Sequence, residues 1–154
     1  MLNSLVWFYL FLGLTIILFL LVPKDEIIKL LPFGLITGFG LAFILQYFAV
    51  NIFRWWKFNY AFLEILHTPL GVSFSWIPAV MIFAYFWPLA DSKVGHLIYV
   101  IIFSLGTTIV EYSFVLLGYR EYINWNLYLT FFLAFGVHLL LAFYLFSQEN
   151  INYS

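Results

Sequence analysis

The side chains best able to do chemistry stand in otherwise apolar surroundings: Ser104, Thr108, Glu111, Arg120 and His138 in the second half, Glu64 and His67 in the first. Glu111 is the most informative. It lies in the apolar run Gly106 to Gly118, about seven residues, or ~10 Å, from the end of the segment. An unpaired charge in mid-bilayer costs ~2.5–3.5 kcal/mol on insertion scales, so such a carboxyl must face a protein interior and be protonated or paired. Ser104 and Thr108 precede it by seven and three residues and share its helical face. His138 lies about eleven residues, ~16 Å, into the following apolar segment, counted from the same loop. Helical side chains tilt toward their own N-terminus. Glu111 therefore leans away from the loop and His138 leans back toward it, which makes a Glu111–His138 hydrogen bond an expectation. Arg120 is the competing partner, although a cation at a span end settles by default in the headgroup layer.

Glu64 and His67 are three apart and would share a helix face. With Glu111 and His138 they resemble the carboxylate and histidine set of a helical metal site. A two-metal bundle needs two Glu-x-x-His pairs and this chain has one. Solvation at an interface is the plainer reading of Glu64 and His67.

The elements that must position these groups follow from composition. The 154 residues are 66% hydrophobic, 24% aromatic and 8% charged, against about 25% charged in a soluble domain. So little polar surface fits a bilayer better than water. The fold expected is all-α: a single domain, 1–154, forming a polytopic integral membrane helix bundle. Spans are expected at about 5–22, 30–50, 72–89, 96–118 and 127–146, with 51–68 interfacial and an interfacial or re-entrant helix at 58–68 ahead of the break Pro69-Leu70-Gly71. The first run has no preceding Lys or Arg and no small-residue cleavage site, so it reads as a retained span. Trp87-Pro88 and the turn Ala90 to Gly95 separate the third and fourth spans.

In the second span Gly34, Gly38 and Ala42 recur every four residues, with Gln46 next on the same face. Small residues at this spacing let helix backbones approach closely, within the chain or across a homodimer. The run Arg54-Trp55-Trp56-Lys57-Phe58 suits the headgroup layer. The loops after spans one and three hold Lys24, Lys29 and Lys93, and those after two and four hold Arg54, Lys57 and Arg120. Equal counts give no orientation.

Several classes are excluded. The net charge is −1 and no basic stripe exists, so nucleic acid is not a partner. There is no cysteine, which removes disulfides, thiolate nucleophiles and Cys-bound metals. Phosphate-binding, dinucleotide-binding, zinc-protease and nucleophile-elbow motifs are missing, so no catalytic residue and no cofactor is assigned.

The stretch 54–146 resembles a family of small uncharacterised multi-pass membrane proteins of endospore-forming bacteria. The likeness is carried by Arg54-Trp55-Trp56-Lys57, by Phe74-Ser75-Trp76-Ile77-Pro78 leading to Trp87-Pro88, and by Ile109-Val110-Glu111-Tyr112 through Gly118, Tyr122 and Asn124-Trp125-Asn126. The resemblance implies four or five helices, Glu111 as a characteristic position, and no established activity.

The leading expectation is a non-enzymatic multi-pass protein of a cell membrane, the bacterial cytoplasmic membrane on the family resemblance. Its polar site at Glu111 would bind, conduct or sense a small ligand, ion or proton. The second is a structural or accessory subunit in which Glu111 only pairs helices, the third a metal- or lipid-handling enzyme. Partners would be the lipid bilayer and either a second copy or another membrane subunit.

Overall fold

The computed structural model describes residues 2–87 and 92–152, with the side chains of 2, 3 and 149–152 left aside. The chain is mostly helical. A short 3-10 turn leads into α1 (Val6–Leu21), followed by α2 (Lys24–Ile52), α3 (Leu70–Phe86), α4 (Lys93–Leu116) and α5 (Leu127–Asn152). Among the described residues three helices are long and apolar enough to cross a membrane: Lys24–Ile52, Lys93–Leu116 and Leu127–Gln148. The apolar helices α1 and α3, with 16 and 17 residues, are shorter. Part of the turn expected at 90–95, and Pro88 before it, lie outside the described residues.

The helices alternate in direction, which puts the start of α1, the end of α2, the start of α3, the end of α4 and the start of α5 at one end. Trp7 of α1 records this. It is 2% exposed and its ring lies 5.2 Å from Phe58 and 4.8 Å from Phe114.

α3 is central. It buries small residues, Gly71, Ser73, Ser75 and Ala84, between the larger Val72, Val80, Met81 and Phe83. Small residues allow close backbone approach from both sides. A Cβ on Gly71 would come within 2.8 Å of Trp7 in α1. One on Gly38 of α2 would meet the Ile77 Cα and the Trp76 carbonyl, both at 2.8 Å. The Gly34, Gly38, Ala42 and Gln46 face of α2 is thus buried inside the chain, and the homodimer seam expected as its alternative is not available on this face. α2 also contains Pro32 and two π-helical stretches, Gly34–Gly40 and Phe48–Ile52. Proline removes a backbone donor and crowds the preceding turn, and a widened turn next to it relieves that crowding.

Close backbone packing occurs within α1–α2–α3 and between α4 and α5. Between these two groups contact is made by long aromatic side chains. Phe83 of α3 sits 5.1 Å from both Tyr99 and Phe103 of α4, and Phe33 of α2 stacks on Tyr144 of α5 at 5.6 Å. The Tyr99 hydroxyl donates to the Phe83 carbonyl at 2.7 Å.

At the Trp7 end short strands accompany the helices. β1 (Trp56–Phe58) pairs antiparallel with β4 (Arg120–Tyr122), and β2 (Glu64–Ile65) with β3 (Thr68–Pro69). The interfacial or re-entrant helix expected at 58–68 is therefore corrected to a hairpin. Its turn residues Leu66 and His67 both have positive φ, 52° and 58°. That geometry matches the right-handed twist of paired strands, and a helix cannot contain it. It is strained for residues other than glycine. The Asn51 amide holds it by donating to the Leu66 carbonyl at 2.7 Å. Glu64 and His67 consequently share no helix face, and both are exposed.

The α2–α3 interface can be tested by substitution. Gly38→Ala places a methyl against backbone that cannot step aside and should destabilise by ~1–3 kcal/mol. Gly106→Ala, where an added Cβ meets nothing within 4 Å, should be neutral or gain up to ~1 kcal/mol. Denaturant unfolding of the two variants in micelles reads the difference.

Candidate functional site

β1 and β4 build the site. In register, Trp56 faces Tyr122, Lys57 faces Glu121 and Phe58 faces Arg120. Alternation does the sorting. Lys57 and Glu121 point outward and pair at 2.9 Å, both about half exposed. Trp56 and Arg120 turn inward, 2% and 3% exposed. The ribbon is lengthened by backbone bonds from Asn59 to the Tyr119 carbonyl (2.8 Å) and from Ile123 to the Trp55 carbonyl (2.9 Å). It ties the end of α2 to the end of α4.

Arg120 forms an ion pair with Glu111. Its guanidinium lies over the Trp56 ring at 4.1 Å and near the Phe58 ring at 5.0 Å, a stacked arrangement that suits a weakly hydrated planar cation. Its Nη2 and the Trp56 indole N–H both donate to Gln46 Oε1, at 3.4 and 3.1 Å. Arg120 Nε is buried without a hydrogen-bond partner. Burial pushes the guanidinium down to about 9, so it stays cationic at neutral pH. The expected placement of Arg120 among headgroups is corrected by this geometry: aromatic faces, a carboxylate and an amide oxygen replace its water.

Thr130 at the start of α5 anchors the other side of the ribbon. Its hydroxyl meets the Tyr122 hydroxyl and the Trp125 indole N–H, each at 2.9 Å. Trp125 stacks on Trp55 at 4.2 Å. Asn126 caps α5 by accepting from the Leu129 amide at 3.0 Å.

The expected Glu111–His138 hydrogen bond does not form. His138 Nδ1 lies 2.8 Å from the Ala134 carbonyl and 3.4 Å from Ser104 Oγ. Its ring is surrounded by Phe83, Trp76 and Phe103, at 5.2, 6.4 and 6.1 Å. Ser104 and Thr108 are buried, but their hydroxyls donate to the carbonyls one turn back, Val100 at 2.6 Å and Ser104 at 2.7 Å. The hydroxyl that accompanies Glu111 is instead Thr107, which lines the same cavities. Among the described residues no three His, Asp or Glu side chains gather to hold a metal. Glu64 and His67 sit on the exposed hairpin, apart from Glu111 and His138.

Two cavities meet at this point. A small one of about 50 Å³ is lined by Thr37, Gln46, Trp56, Thr107, Glu111 and Arg120, among others. A larger one of about 350 Å³ lies between α1, α3 and α4 and reaches His138. Trp76, Thr107 and Glu111 line both.

The sequence places Gln46 on a packing face and does not point to Trp56, Trp76 and Thr107 as lining a cavity with Glu111, or to Phe58 as a cover of Arg120. One signal was present. Trp56-Lys57-Phe58 and Arg120-Glu121-Tyr122 both alternate inward and outward residues with opposite charges at the centre, the pattern of a two-stranded ribbon.

Comparison with family models, with curated proteins and with solved structures returns no match for the chain.

Removing one partner of a buried ion pair leaves the other unpaired and costs more than removing both. Arg120→Met should therefore destabilise by ~3 kcal/mol or more. The double change Arg120→Met with Glu111→Gln should recover most of that loss. Lys57→Ala at the exposed pair should cost under ~1 kcal/mol. A double-mutant cycle on unfolding free energies checks all three.

Proposed function

We propose that the chain is a five-helix multi-pass protein of a cell membrane, the bacterial cytoplasmic membrane on the family resemblance, that binds a small ligand at Glu111 and senses it through the ribbon. The observation that carries this is the Glu111–Arg120 pair opening onto two cavities between two helix groups. A pair serving only to join helices is ordinarily closed over by packing. Here the carboxylate borders open space on both sides while its partner belongs to the ribbon. A ligand that competes for the carboxylate changes what holds Arg120, and Arg120 is part of the strand that joins α2 to α4.

Binding and sensing fit better than conduction. Beyond the site, among the described residues, the space between the helix groups is filled by the rings of Phe83, Trp87, Tyr99 and Phe103. The accessory-subunit reading retains one supporting observation: the Gln46, Trp56, Arg120 and Glu111 network joins four elements and would stiffen a scaffold.

The five-span part is tested with single cysteines in a chain that has none. Lys57→Cys and Glu121→Cys should react with a membrane-impermeant maleimide from one side, and Lys24→Cys and Lys93→Cys from the other. Labelling of all four from one side removes the topology.

The site is tested by native mass spectrometry of the full chain released from mild detergent. Wild type should carry a small non-lipid or single-chain adduct that folded Glu111→Gln lacks. Identical adducts in both would end the binding reading.

A further inference from the structure

The larger cavity has a shape and a chemistry that narrow what it can hold. Its 350 Å³ is space for on the order of ten non-hydrogen atoms, taking ~30 Å³ for each water-sized group. Leu10 and Leu14 of α1, Ala79 and Val80 of α3 and Phe103 of α4 make most of the wall apolar. The lining comes from α1, α3 and α4 with His138 of α5, and the backbones of α1 and α4 do not pack closely along their length. On the α4 side the rim is Ile102, Gly106 and Val110, one helical face at four-residue spacing. Ile102 and Val110 are 59% and 44% exposed. Gly106 between them leaves a notch, since an added Cβ would meet nothing within 4 Å. In the five-span arrangement this rim stands at hydrocarbon depth, so what enters comes from the lipid phase.

Most polar groups of the wall can accept a hydrogen bond, and the Trp76 indole and the Thr107 hydroxyl can also donate one. A carbonyl can only accept, so the 2.8 Å contact to Ala134 puts a proton on His138 Nδ1, and in the neutral ring Nε2 then carries the lone pair. His138 is 3% exposed, and Nε2 has no partner among the described residues. The Ser75 hydroxyl spends its proton on the Val72 carbonyl at 2.7 Å. The Thr107 hydroxyl has no hydrogen bond among the described residues. Glu111 is neutralised by Arg120 yet keeps acceptor sites, since a carboxylate has about four. Arg120 itself lines the small cavity and not this one.

We infer that this cavity binds, from the lipid phase, a neutral single-chain amphiphile whose hydroxyl donates to Glu111, Thr107 or His138 and whose apolar chain fills the space bounded by α1, α3 and α4. An anionic head would be repelled by the carboxylate. A bare hydrocarbon would leave the buried acceptors unpaired, which is unfavourable in an apolar setting. The inference rests on the reading of Glu111 as a binding position and adds the chemical class of the ligand and its route of entry.

The test uses the full chain in nanodiscs of zwitterionic lipid, with 1-decanol as the probe and decane and decyl methyl ether as length-matched controls. Decanol should raise the thermal midpoint by a few degrees and saturate, as a ligand of the folded state does. The two controls should not. Thr107→Val should raise the half-saturating decanol concentration about fivefold, the value of one hydrogen bond. Gly106→Leu fills the notch in open space; it should fold at least as well as wild type and abolish the decanol response. Equal responses to all three probes would mean an unselective greasy void, and an undiminished response in Gly106→Leu would put the binding elsewhere. Either result, or no response in wild type, overturns the inference. If decanol fails while the Glu111-dependent adduct is still seen by mass spectrometry, the ligand class is wrong and the site stands. If both fail, both readings fall.

Discussion

A cation and a carboxylate held together away from water constrain everything around them. Glu111 contributes its charge from inside an apolar helix, where leaving it alone costs several kcal/mol. Arg120 answers it from a strand, and a strand needs a partner. β1 supplies the backbone for that pairing, and its inward residues Trp56 and Phe58 supply the faces that cover the guanidinium. Gln46 then completes the arrangement by accepting from both Arg120 and Trp56. The loops after α2 and α4, the α2 face behind Gln46 and the start of α5 behind Tyr122 and Thr130 are all fixed by the need to satisfy this one pair.

The helical part of the fold was largely legible. Apolar runs broken by Pro23-Lys24-Asp25-Glu26 and Pro69-Leu70-Gly71 put the helices close to where they lie, and three of them are long enough to span. The boundaries moved at their ends. α2 begins at Lys24 rather than about residue 30, because a charged first turn with Asp25 and Glu26 suits a helix N-terminus. The segment 58–68 was not legible as a hairpin. Its apolar and aromatic content fits an interfacial helix equally well, and the decision comes from elsewhere: Asn51 on α2 and the backbone around Leu63 and Leu70 fix the turn. Local sequence carries no trace of such a tertiary choice.

The candidate site divides in the same way. Glu111 stood out because a buried carboxylate demands an explanation. Its partner was harder to name. Position along the chain favoured Arg120 in the headgroups and brought His138 within reach, but depth alone ignores which way a ring can turn. His138 satisfies itself on its own helix through Ala134, and Ser104 and Thr108 do the same through Val100 and the Ser104 carbonyl. Polar side chains in apolar helices have this local option, so a shared face does not make a shared network.

The join between the two helix groups has a mechanical side. Among the described residues, every backbone-to-backbone hydrogen bond between them belongs to the ribbon. Elsewhere they touch mainly through aromatic rings, with the Tyr99 hydroxyl bonded to the Phe83 carbonyl as a side-chain tie. The ribbon therefore acts as a spine, and relative tilt of α4–α5 against α1–α3 pivots there. A helix of twenty residues is ~30 Å long, so a tilt of about 5° at the spine displaces the far end by roughly 3 Å. Small rearrangements around Arg120 sit at the fulcrum of that lever, where the least movement at the pivot becomes the greatest at the opposite face.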